Sequence, residues 1–96
     1  MLLLRVAAAW PLPRLGWLAL PEGPASALAG YALHTALAVE AVLLAGARHP
    51  AMATVEEVTR PAEAAGPTRG LLLDLGGDLV LVPGTEIWLV SALPEA

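Results

Sequence analysis

The sequence predicts an α+β fold, one long helix packed on a mostly antiparallel sheet in the order β-β-α-β-β-β-β, with a three-stranded meander at its C-terminal end. Three observations predict it. A 23-residue run, Ala25 to Ala47, carries Glu40 as its only formal charge. Apolar stretches near the C-terminus are separated by Gly76-Gly77 and Pro83-Gly84. Two further apolar stretches precede the long run, divided by a proline-rich turn.

Ninety-six residues make one small domain, 1–96, which typically buries roughly 60–70% of its unfolded surface. With 57% apolar residues the chain lies far from the disordered class. Five Arg against nine Asp and Glu give a net charge of −4 without a basic cluster, which argues against nucleic acid as a partner. No Cys is present, so disulfides, thiolate metal sites and Cys nucleophiles are excluded. Lys, Asn, Gln and Phe are missing too, a bias that a GC-rich host explains.

The first element is a short strand over Leu2–Ala8. A turn follows through Trp10-Pro11-Leu12-Pro13, then a second strand over Leu15–Leu20. Ala25-Ser26-Ala27 resembles a signal-peptidase site, but Arg14, Pro11 and Pro13 interrupt the apolar core such a leader needs, so the segment reads as structure.

The run Ala25–Ala47 is bounded like a helix, by Gly23-Pro24 at its start and by Gly46, Arg48, His49 and Pro50 at its end. Its length suits a bilayer span of roughly 20 residues. The energy does not: one central Glu costs about 2.5–3.5 kcal/mol, whereas each Leu or Val returns about 0.3–0.6. Five Leu and two Val roughly cancel Glu40, so a helix buried in protein is the reading adopted. On that helix Gly30, His34, Ala38, Ala41 and Ala45 share a face of small residues. Glu40 is expected to pair with an arginine, above all Arg5 or Arg14 from the N-terminal strands, with Arg48 a further candidate, because an unpaired buried carboxylate is costly.

Met52–Thr59 reads as a further strand and Arg60–Thr68 as a loop. The meander follows: Gly70–Leu75, the turn Gly76-Gly77, Asp78–Val82, the turn Pro83-Gly84, then Thr85–Ser91. Two-residue turns put Leu75 opposite Asp78, Leu73 opposite Val80, Leu71 opposite Val82 and Val80 opposite Ile87. One face then carries Leu71, Leu73, Leu75, Val80, Val82, Ile87 and Leu89. The other carries Leu72, Asp74, Leu79, Leu81, Glu86, Trp88 and Val90, too apolar to be left in water. Leu72, Leu79, Leu81 and Trp88 are therefore the predicted contact with a second layer or a partner.

No chemical signature competes with that reading. His34 and His49 are 15 residues apart and lack the spacing that puts two ligands on one helical face. Asp74 and Asp78 flank a tight turn, where Asp serves the turn itself and supplies too few oxygens for Ca²⁺. Glu56 and Glu57 point to opposite faces of their strand. Gly76-Gly77 opens no helix and has no phosphate-loop spacing. No catalytic residue, metal ligand or cofactor is assigned.

The expectation is a non-catalytic structural or accessory subunit, oligomeric and cytoplasmic, that contacts itself or another protein. A small membrane-associated subunit, with residues 1–47 in or on the bilayer, is the first alternative. A ligand binder or enzyme with a cleft near Glu40 and His34 is the second.

Overall fold

Alternation of inward and outward side chains, rather than helical periodicity, organises this chain. The computed structural model describes residues 1–21, 26–59, 68–75 and 79–92, setting aside the side chains at 26, 91 and 92. Six strands are formed: β1 Leu2–Leu12, β2 Gly16–Pro21, β3 Ala36–Val42, β4 Arg48–Val58, β5 Thr68–Asp74 and β6 Glu86–Ala92. They close into an antiparallel barrel in the order β1-β2-β5-β4-β3-β6, with β6 returning to β1. β3, β4 and β5 follow one another and β6 comes back beside β3, which is a Greek key.

The predicted α+β class is therefore corrected. Where a long helix was expected, Ser26–Leu28 is the only helical segment among the described residues, as one 3₁₀ turn, while Ala36–Val42 is a strand. Gly23-Pro24, the expected helix start, lies outside the described residues. The physical reason lies in the run itself. A sequence apolar on every side has no defined helical face, and this one also satisfies a period of two: Leu37, Val39 and Ala41 are buried while Ala38, Glu40 and Val42 between them are not. The helix preference of Ala, at most about 0.7 kcal/mol per residue over ordinary residues, is small beside the burial of Leu37 and Val39, about 1.5–3 kcal/mol each.

The meander is corrected as well. β5 and β6 do not pair with each other: β5 lies between β2 and β4, whereas β6 lies between β1 and β3 on the opposite wall. Leu73 faces Trp17 and Ala53 instead of Val80, and Ile87 faces Leu4 and Ala41. Residues 79–82 form no strand, and Leu81 enters the core with Val80 and Val82 exposed, the reverse of the expected alternation. The Gly76-Gly77 turn and Asp78 fall outside the described residues. The two N-terminal strands and the strand beginning near Met52 are present, each longer than or offset from its sequence estimate.

The barrel is narrow and filled. Rows of directly opposed residues alternate bulk across its interior, Ala9-Ala19-Leu71-Val55 in one and Trp17-Leu73-Ala53-Leu37 in the next. Leu28 and Leu81 complete this cluster from the connections. Gly70 has a packing role: a Cβ there would stand 2.5 Å from the Ala19 carbonyl oxygen and 2.6 Å from Leu20 Cδ2, so the fully buried Leu20 occupies the space a side chain would need.

The Val82-Pro83-Gly84-Thr85 turn has the expected type II form, with the Thr85 amide donating to the Val82 carbonyl at 3.2 Å and Gly84 at φ +94°. It introduces β6 rather than closing a hairpin. Gly84→Val forces a β-branched residue into the left-handed region and its Cβ to 2.9 Å from Leu44 Cδ2. We expect a loss of about 2 kcal/mol or more, several degrees of melting temperature in a domain this size. His49→Ala, on a half-buried strand position opposite Ala41, should cost far less. Thermal melts compare them, and equal melting temperatures would contradict this turn.

Candidate interaction face

The strand register collects outward side chains into a mostly apolar row, exposed at Trp10 and half-buried at Leu18, Leu72, Thr54 and Ala36. Trp10 on β1 is paired with Leu18 on β2, Leu18 with Leu72 on β5, Leu72 with Thr54 on β4, and Thr54 with Ala36 on β3. Directly opposed residues of antiparallel strands project to the same side, about 4.5–5.5 Å apart. None of these five belongs to the interior cluster. One pair further toward the β1–β2 hairpin, Asp74 faces Met52, which in turn faces Ala38. Trp10, Met52 and, at the hairpin tip, Leu15 are 42%, 43% and 60% exposed.

Two shallow clefts border the row. One of about 240 Å³ is lined by Leu15, Ala36, Met52, Thr54, Leu72 and Asp74 among others. A second, of about 370 Å³, lies between the hairpin residues Pro11, Pro13, Arg14 and Trp17 and the end of β5 at Asp74 and Leu75. Asp74 lines both.

The hairpin tip is held under strain. The Leu15 amide donates to the Leu12 carbonyl at 2.9 Å, and Arg14 occupies the third position of this turn at φ +68°. With Pro13 before it this is again type II geometry, where Gly or Asn is the usual occupant. A long side chain there costs on the order of 1–3 kcal/mol. Among the described residues Arg14 and Asp74 make no ion pair or side-chain hydrogen bond with each other or with any other group.

The predicted contact residues are not gathered together. Leu72 sits at the centre of the row, and Leu79 is half-buried in the β5–β6 connection. Leu81 is 3% exposed and belongs to the core, so it offers no contact surface. Trp88 projects from β6, three strands from β5 around the ring, and donates its indole N–H to Glu86 at 3.1 Å. Trp10, Leu15, Leu18 and Met52 were missed. The signal available was their alternation with Ala9, Ala19 and Ala53, masked by reading Trp10 as part of a turn.

The opposite wall carries charge pairs beside Trp88 and Val90, which are 37% and 62% exposed. Arg5 donates to Glu86 at 2.8 Å, and Arg48 donates to Glu40 at 2.8 Å across β3 and β4. Glu40 thus finds Arg48 rather than Arg5 or Arg14, the partners the buried reading favoured, and the pair is half-exposed at the surface rather than buried. His34, at φ +69° before β3, lies 3.1 Å from Glu56. His34 sits in the turn before β3 and Glu40 inside that strand, and the two bond to different partners, Glu56 and Arg48. Among the described residues no group of three or more His, Asp and Glu could hold a metal ion, and no helix is long and apolar enough to cross a membrane. No family model matches the chain, and no curated protein or solved structure matches it.

The Glu86 carboxyl is held below the ordinary glutamate range, first by the hydrogen bond from Arg5 and then by that from Trp88. Folding therefore favours its ionised form. The stabilisation is present above the unfolded-state value and is lost as pH falls through the lower folded value. In an NMR titration Glu86 should protonate at lower pH than in Arg5→Met, where its midpoint moves up. An unmoved midpoint would break the assignment of cause.

Proposed function

We propose that this protein is a non-catalytic interaction module, a structural or accessory subunit that works through the outer face of β1, β2, β5 and β4. The supporting observation is the apolar row Trp10-Leu18-Leu72-Thr54-Ala36, extended by Met52 and Leu15, on a barrel whose interior is already filled. Contiguous apolar surface marks contact sites, and the exposed Trp10, Leu15 and Met52 each forgo part of the about 1.5–3 kcal/mol that full burial of a large side chain gives.

Closure determines the manner of contact. Among the described residues every strand of the closed barrel has a neighbour on both sides, which favours contact through side chains over addition of a strand. Residues 1–47 supply β1, β2 and β3, which are interleaved around the ring with strands from the rest of the chain, so the module acts as one body. Among the described residues the two shallow outer clefts offer surfaces for recognition.

Photo-cross-linking tests the reading. A photoreactive amino acid is placed at position 72, on the face, or at position 88, on the opposite wall, and the full-length protein is irradiated in its native host cells. Position 72 should give a discrete adduct and position 88 should not. Equal yields, or no adduct from position 72, would refute the assignment of the face.

A further inference from the structure

We propose that the partner of this face is a second copy of the chain, docked about a two-fold axis so that Arg14 of each copy pairs with Asp74 of the other. The proposal rests on the interaction reading above and names its occupant. A two-fold interface brings a surface against itself, so the surface must be complementary to its own rotated image. This one is. One guanidinium and one carboxylate, both unpaired among the described residues, border the same apolar field and line the 370 Å³ cleft. They line one cleft yet form no ion pair within 4.0 Å, so each charge is left for a group on another molecule.

The rest of the chain accentuates the point. A net charge of −4 opposes self-association in general, whereas this rim sums to zero and offers an attractive pair twice over in a symmetric dimer. By contrast, the charges on the opposite wall are already satisfied, Arg5 by Glu86 and Arg48 by Glu40. The strained turn is accounted for as well. Gly at position 14 would relieve the backbone but remove the cation, and the hairpin keeps the cation. On a closed ring of six staves only neighbouring strands face one way, so the contact centres on β2, β5 and β4 with the hairpin tip and lies at the small end of stable interfaces. The dimer is therefore reversible and concentration-dependent.

Sedimentation velocity of charge-reversed variants tests the pairing. Arg14→Asp and Asp74→Arg each place like charges together twice in the dimer and should weaken it by about tenfold or more. An equimolar mixture of the two should recover wild-type association. In that heterodimer position 14 of each copy again meets the opposite charge at position 74 of the other. Both sites are exposed, so melting temperatures should stay close to wild type and confirm that each variant is folded.

A monomeric wild type, single variants that associate like wild type, or a mixture no better than its components would each overturn the proposal. The adduct from position 72 separates the two levels of the argument. Twice the chain mass supports the second copy. Any other discrete mass refutes self-pairing while leaving the interaction face standing, and no adduct removes both.

Discussion

Closure between the first strand and the last is the constraint on which the molecule depends. β1 is long because it serves two neighbours: its first half pairs with β6 through Leu2–Arg5, and its second half with β2 from Val6 to Leu12. Hydrogen bonds extend that seam at both ends, from the Leu89 amide to the Met1 carbonyl at 2.8 Å, and between Val6 and the Gly84-Thr85 backbone at 2.7 and 2.8 Å. Register shifts between Leu2 and Leu4 and between Val6 and Ala8 lie on this strand, where extra residues let it bend around a narrow barrel. Without the seam, β1 and β6 would both be open edges.

The other features follow from closing a ring of only six strands. Its interior has little room, so Ala19, Ala41 and Ala53 occupy fully buried positions beside Leu37, Leu71, Leu73 and Ile87. The Greek key that makes closure possible also sets β5 and β6 on opposite walls, and the two walls differ in chemistry. Around β6 the outward positions mix the ion pairs Arg5–Glu86 and Arg48–Glu40 with Trp88 and Val90; on β1, β2, β5 and β4 they hold Trp10, Leu18, Leu72 and Met52 beside Asp74, unpaired among the described residues. A one-residue slip of β5 would turn Leu72 inward and Leu71 and Leu73 outward, so packing of the core also fixes the face.

The sequence made individual strands legible and their partners illegible. Alternation or turn chemistry located β1, β2, β4, β5 and β6 to within a few residues, and Pro83-Gly84 announced its type II turn. Two inferences failed for identifiable reasons. In Ala36–Val42, Ala supports helix and strand burial almost equally, so the run carried no decisive period until Leu37, Val39 and Ala41 met the core. The meander failed because neighbours in sequence were assumed to be neighbours in space, and in this fold the strands β5 and β6 are not. The contact residues inherited that error: Leu72 was placed on an outward face, whereas Leu81 and Trp88 were assigned to a surface that the topology divides. Arg14 entered the sequence argument only as a break in a leader-like segment and as one of three candidate partners for Glu40, since its unpaired state and left-handed backbone are properties of the folded hairpin.

The central claim is that the most helix-like stretch of the chain is a stave of the barrel, bonded on both sides. Through-space NMR contacts of Val39 test it most directly. The account predicts cross-strand signals from Val39 to Ala51 on one side and to Leu89 on the other. Sequential helical contacts from Val39 to Val42 and Leu43, with neither cross-strand signal, would contradict it.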